Sequence, residues 1–418
     1  VSAVTPAYAY LGRTVDLTIA GSETSWTSAT TVAFADTNVK VNKVTAASAT
    51  GLLVNVTIGA GAALAATDVT VTTGTAVEVY KGAFQIKAPI TVAIDQSAGV
   101  PQGGFANVDV QMLDVSTPLD ANTADITLGV ADVNEVATPN VTDFALTTLV
   151  GADVLATPGE SVDLTLTSGS GAAAVTSPAK AAFKVAARTP KPLTTTTASG
   201  MIQTTSDSAL FQFAAASAAQ TFVQLNINSP DGGGLIGLVV PKSGKLADSI
   251  GTINYRFGLG TTSTDTTYLI LTDGGSIFAN PPPYGYTASV TATACTAVAG
   301  PGASMHLTPT AALSLATLPA LVTNDYGDGT NMTGDWYSFT VGANKTIHAA
   351  TGGDGVSDMM IAIYEPDGTT QDAASMEDDY HKDITDPVTT AGTYFVQVTP
   401  GMSYDPTHST YELFVEVK

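Results

Sequence analysis

Side chains able to do acid–base or nucleophilic chemistry are scarce in this 418-residue chain: His306, His348, His381 and His408 are its histidines and Cys295 its single cysteine. Nucleophilic catalysis needs a base held against the nucleophile, and none of the four histidines sits in a recognised motif. Neither a Gly-x-Ser-x-Gly elbow nor a His-Glu-x-x-His zinc signature occurs. His381-Lys382-Asp383 lies in an acidic, turn-like stretch, the usual setting of a solvated surface histidine. Pro241-Lys242-Ser243-Gly244-Lys245-Leu246 contains a Gly-Lys pair, but Leu246 stands where a phosphate loop needs Ser or Thr to hold Mg²⁺, so this segment reads as a hairpin turn. The sequence predicts no catalytic residue and no enzyme.

Oxygen ligands are more plentiful. In Asn324-Asp325-Tyr326-Gly327-Asp328-Gly329-Thr330-Asn331 the glycines let the backbone fold carboxylates and carbonyls around one centre, with Asp335 close by, and Ca²⁺ suits such ligands. The same pattern also describes a plain polar turn. Glu377-Asp378-Asp379 forms a second acidic cluster, screened by solvent or by a cation. Trp26 and Trp336 lie far apart, and Trp336 holds an alternating strand position that predicts core packing rather than a sugar platform. Pro281-Pro282-Pro283 with Tyr284 and Tyr286 either docks another chain or braces a loop. Asn-x-Ser/Thr triplets at Asn55, Asn140, Asn331 and Asn344 are glycan acceptors or chance products of a threonine-rich chain.

The elements that must position these residues are strands. Thr, Val, Ala, Gly and Ser dominate, and charged residues make up 12% of the chain against 44% hydrophobic. β-branched residues favour pleated strands, 39 Gly and 21 Pro supply turns, and no window keeps a helical period over three turns. The predicted class is all-β. A chain of this length exceeds one core, so three or four modules are expected. One cysteine excludes an intramolecular disulfide, and Cys295 reads as a small buried hydrophobe. A formal net charge of -22 repels phosphate backbones and anionic lipids, which argues against nucleic acid and acidic membranes as partners. No apolar run approaches the ~20 residues of a membrane span. The start at Val1-Ser2-Ala3 is what a mature secretory protein shows after signal-peptide removal.

Internal repeats organise the chain. Gly12-Arg13-Thr14-Val15-Asp16-Leu17-Thr18-Ile19 parallels Phe105-Ala106-Asn107-Val108-Asp109-Val110-Gln111-Met112. Val69 to Gly74 likewise parallels Leu164 to Gly169, followed by Phe84-Gln85-Ile86 and Phe183-Lys184-Val185. In the second half, Ala209 to Phe213 recurs as Trp336 to Val341 and Tyr268 to Leu271 as Tyr394 to Val398. Prolines at Pro89 and Pro190 mark boundaries, and 189–197 reads as a linker. The modules predicted are 1–88, 89–190, 191–300 and 301–418.

On Val4-Thr5-Pro6, Gly12, Val15 to Ile19, Gly21, Asp68 to Val71 and Phe84, the first module resembles the IPT/TIG family of immunoglobulin-like domains. Residues 90–188 are similar to it more loosely, as an Ig-like sandwich. Residues 315–418 resemble the bacterial pre-peptidase C-terminal (PPC) domain, a jelly-roll-like sandwich that trails many secreted hydrolases. The residues that carry this are Gly334-Asp335-Trp336-Tyr337-Ser338-Phe339, Met360 to Tyr364 with Pro366-Asp367-Gly368, Ala391 to Val396, and Tyr411 to Val415. Residues 195–298 are a degenerate relative without the Asp-Trp-Tyr signature. The PPC resemblance implies Ca²⁺ at Asp325, Asp328 and Asp335.

Together these features predict tandem Ig-like and jelly-roll-like β-sandwiches of a secreted bacterial protein, extracellular or on the cell surface. The first function they suggest is structural or adhesive: spacers of a surface layer, filament or matrix, partnered by copies of the same chain. The alternative is a set of accessory modules of a secreted hydrolase, including calcium-dependent binding of a cell-surface glycan or protein.

Overall fold

Alternation is the local rule from which the fold is built. In the strand Gly51–Ile58, Leu52, Val54, Val56 and Ile58 are buried while the residues between them face outward, because successive side chains of a strand point to opposite faces. A computed structural model of the chain describes residues 2–115, 118–169, 174–213, 220–231, 234–252, 254–259, 267–274, 281–300, 302, 306–325, 334–352, 359–375, 382–401 and 410–418. Among them every regular element is a strand apart from two single 3₁₀ turns, Leu246–Asp248 and Pro309–Ala311, so the predicted all-β class is the observed one. The chain divides into two compact units, Val1–Arg188 and Thr189–Lys418.

The first unit contains two sandwiches, each with its own core. One packs the sheet Ala3–Thr5, Thr14–Ala20, Gly51–Ile58, Val39–Ser48 against the sheet Tyr8–Tyr10, Ala76–Lys87, Ala66–Thr73, Thr31–Phe34. The other packs Val100–Pro101, Val175–Ala186, Ser161–Ser168, Asp125–Leu128 against Val133–Glu135, Ala145–Ala152, Gly104–Met112, Ile90–Ile94. The sequence repeat is reproduced in detail. Both closing hairpins carry a register shift, between Thr67 and Val69 in one and between Val162 and Leu164 in the other. At the shift a carboxylate, Asp68 or Asp163, accepts the amide of a positive-φ residue, Gly82 or Ala181.

The joint between these two sandwiches is a turn laid on a hairpin. Gly12 has φ 76°, and a Cβ there would sit 2.9 Å from the Thr176 carbonyl oxygen, so only glycine allows this approach. Arg13 then donates to Asp114 at 2.8 Å, to the Thr176 carbonyl at 2.6 Å and to the Ser177 hydroxyl at 2.8 Å. Ser177 and Pro178 are buried beneath this turn. Pairing register makes Glu78 and Val79 their counterparts on the first sandwich. There the face is bare: Val77 and Val79 are 61% and 53% exposed.

In the second unit the two sandwiches share a sheet. The strand Tyr284–Ala299 pairs antiparallel with Gln220–Asn228 as far as Cys295, and its last four residues then pair parallel with Ala320 to Thr323. An eight-stranded sheet results. Gln220–Asn228, with Asn254–Leu259 beyond it, lies along one edge of that strand; Ala198–Ile202 pairs with the other edge at its start, and Ala320–Asp325, Thr410–Val417, Lys345–Gly352 and Asp383–Val388 continue the sheet from its end. Two five-stranded sheets complete the pair of sandwiches: Lys191–Pro192, Ser208–Phe213, Thr267–Asp273, Leu235–Val240, Ile250–Thr252, and Leu313–Ser314, Asp335–Val341, Gly392–Pro400, Met359–Tyr364, Gln371–Ala374. A small cluster of Phe222, Cys295, Leu321, Ala350 and Phe414 fills the joint, with the Phe222 and Phe414 rings stacked at 4.4 Å. The segment Pro241–Gly244 is a turn between antiparallel strands. Tyr284 and Tyr286 are buried, which leaves them no docking role.

Replacing Arg13 with Ala removes three hydrogen bonds, one of them to a carboxylate. The expected loss is roughly 1–3 kcal/mol in the unfolding of the first unit. Calorimetry of the full chain checks this: the transition of the first unit should fall while that of the second is unmoved.

Candidate functional site

The strand Asp335–Val341 opens with a carboxylate in a place where few are tolerated. Asp335 is 1% exposed, and burying an ionised carboxylate is affordable only when donors surround it. Two other strands supply them. Tyr411, on the last strand, donates its hydroxyl to Asp335 Oδ2 at 2.7 Å, and Asn324, on Ala320–Asp325, donates Nδ2 to the same oxygen at 3.0 Å. Tyr337, two residues along from Asp335, shares a hydrogen bond with the Tyr411 hydroxyl. His306 lies with Nδ1 3.4 Å from Asp335 Oδ1, its ring 4.9 Å from that of Tyr337, and its carbonyl accepts the Trp336 amide. Asn324 Oδ1 in turn accepts the Gly302 amide. Burial pushes both phenols up, Tyr411 well above its ordinary value, with Asp335 adding to the shift in each.

Such a site can hold charge but cannot process a substrate. His306, Asn324, Asp335, Tyr337 and Tyr411 are all buried, so reaching them requires opening the sandwich. Cys295 is no nucleophile: burial, with Glu416 adding, pushes its thiol up to about 11. His348 Nε2 lies 2.9 Å from Asp383 Oδ1, and Asp383 Oδ2 accepts from Gln224 at 3.2 Å. That trio ties the two sandwiches of the second unit together. Separation hid it from the sequence, since its members stand at 224, 348 and 383.

Of the proposed calcium ligands, Asp328 lies outside the described residues, as does the side chain of Asp325, whose backbone pairs with Thr410. Asp335 does not fit a calcium ion as placed. Ca²⁺ takes six to eight oxygen acceptors, whereas Asp335 Oδ2 is occupied by hydroxyl and amide donors, the surroundings of an anion. Among the described residues no three His, Cys, Asp or Glu side chains gather closely enough to share a metal. Glu377, Asp378, Asp379 and His381 lie outside the described residues. Trp336 is 7% exposed, against Tyr364 and Phe395, which leaves no ring face for a sugar.

Residues 333–400, which include this strand, match the family model described as bacterial pre-peptidase C-terminal domain. No curated protein matches the chain. Among solved structures, the pre-peptidase C-terminal domain of collagenase from Bacillus anthracis is 20% identical, over 26% of this chain and 94% of that one, with a TM-score of 0.21. PliG, a periplasmic inhibitor of g-type lysozyme from Aeromonas hydrophila, is 13% identical over 25% of this chain and 96% of its own, with a TM-score of 0.18. Domains 5–6 of the S-layer protein SbsC are 13% identical over 45% of this chain and 97% of theirs, with a TM-score of 0.16.

Tyr411→Phe takes a donor from a buried carboxylate. It should cost roughly 1–3 kcal/mol in the denaturant unfolding of the second unit, and millimolar calcium should not restore it. Recovery on adding calcium would mean that a cation sits against Asp335 after all.

Proposed function

We propose that this chain is a non-catalytic, secreted bacterial structural protein whose tandem sandwiches build an extracellular layer, filament or matrix by self-association. One observation carries this. Within the first unit a sandwich docks its Gly12–Arg13 turn on the hairpin of the next, and the same hairpin face recurs, bare, on the first sandwich. Glu78, at the register position of Ser177, points to the opposite side of the strand and accepts the Tyr80 hydroxyl, so what the bare face offers a neighbour is the apolar pair Val77 and Val79. An unsatisfied repeat of an internal interface is a heterologous contact, the kind that propagates into open chains rather than closed rings. The IPT/TIG resemblance of residues 1–88 belongs to this proposal, because such sandwiches serve as spacers.

A second proposal rests on the PPC match at residues 333–400: that these are accessory modules of a secreted hydrolase, holding a glycan or protein for a catalytic part. The sharing of one sheet between two sandwiches supports the structural alternative more, since it removes the flexible linker that lets an accessory module search for a ligand.

Electron microscopy and light scattering of the full chain, with calcium and with chelator, separate the two. Ordered polymers that dissociate in the doubly substituted Val77→Lys, Val79→Lys protein are expected. Monomers at all concentrations under both conditions would overturn the structural proposal and favour an accessory module.

A further inference from the structure

Two sandwiches close their open sides in the same unusual way. In the second sandwich the consecutive strands Asp125–Leu128 and Val133–Glu135 are edge strands of the two facing sheets. In the fourth, Gln371–Ala374 and Asp383–Val388 hold the same two positions. Across each seam an acid lies beside an acid: Glu135 beside Asp125, the two lining one cavity, and Asp386 beside Asp372. Two carboxylates cannot hydrogen-bond to each other without a proton between them.

We infer that these carboxyl pairs are acid-closed latches, in which one shared proton holds the edge strands of the facing sheets together and its loss towards neutral pH loosens the seam. The surroundings favour the protonated state. Asp386 is 7% exposed and its Oδ2 is buried without a hydrogen-bond partner, as is Oε1 of Glu135. The charged groups acting on Asp386 are Asp372 across the seam and Glu365 from the end of the strand Met359–Tyr364. The Tyr394 phenol, on Gly392–Pro400, feels the same three acids, and the register partner of Asp386, Ile347, is apolar. On Glu135 the acting charge is Asp125, while Thr148 offers a neutral hydroxyl and the register partner is Val150.

Burial first, and the neighbouring carboxyl second in kind, lift Asp386 from 3.8 to about 6. Burial likewise lifts Glu135 from 4.5 to about 7, against the Thr148 hydrogen bond and with help from Asp125. A carboxyl raised in the folded state stabilises it below its unfolded value, and that stabilisation is lost as pH rises through the folded one. The fourth sandwich should therefore slacken as pH passes about 6 and the second as it passes about 7. A slackened seam offers two unpaired strand edges to a neighbour, so the latch bears on assembly but does not depend on it.

Hydrogen exchange of the full chain by mass spectrometry, corrected for the intrinsic pH dependence of exchange, tests this. Peptides covering 125–135, 371–375 and 383–388 should lose protection roughly tenfold between pH 5 and pH 8, while Gly51–Ile58, in a different sandwich, does not. Asp372 is exposed, and Asp372→Asn supplies a permanent donor to Asp386, so it should abolish the loss at the fourth seam alone. Glu135→Gln should do the same at the second. Equal protection at both pH values in the unsubstituted chain, or a loss that survives these substitutions, overturns the inference. So does calcium restoring protection at pH 8, because the pair would then be seated around a cation.

Discussion

Four residues, Thr296–Ala299, carry one strand out of its own sandwich and into parallel register with Ala320 to Thr323. The joint of the second unit follows from that overrun. It places Cys295 and Phe222 against Leu321, Ala350 and Phe414, and it brings Gln224 within reach of Asp383. The sandwich that contains the PPC match thus has one sheet in common with its predecessor. In a chain with a single cysteine, continuity of the hydrogen-bond ladder does what a covalent cross-link does in smaller secreted domains.

Strands are legible in the sequence wherever one face is buried and the other wet. The alternation in Val69-Thr70-Val71 and Leu164-Thr165-Leu166 announces its pairing because burial reads out directly as a period of two. The repeat extends further than apolar pattern could show, down to a carboxylate holding a positive-φ residue at matching positions, one glycine and the other alanine. What stays hidden are contacts between distant residues of no special type. Arg13 meets Asp114 and Ser177 more than a hundred positions away, and nothing in its neighbourhood marks it as different from any surface arginine.

The candidate site is half legible for a related reason. Acidic residues beside glycines suggest a cation, and Asp335 joins that pattern by proximity along the chain and by the PPC resemblance. Its surroundings are set instead by Tyr411 and Asn324, supplied by other strands. A buried carboxylate ringed by hydroxyl and amide donors fixes the mutual position of the strands that provide them, because each donor left unpaired in the interior is costly. It specifies one arrangement of the module rather than performing a reaction.

The parallel pairs at the margins of the sandwiches have a mechanical meaning. In the first sandwich Tyr8–Tyr10 lies parallel to Gln85 to Lys87, and in the second Val100–Pro101 lies parallel to Val185 and Ala186. In each sandwich one strand, Ala3–Thr5 or Ile90–Ile94, precedes the first member of the pair, and the chain leaves past the second. Tension applied along the chain therefore drags the two strands past one another lengthwise. Bonds lying across that direction are strained all together, whereas strands peeled from an end come away bond by bond. Pulling on these two sandwiches thus loads a parallel pair in shear, a demand that heating never makes of it.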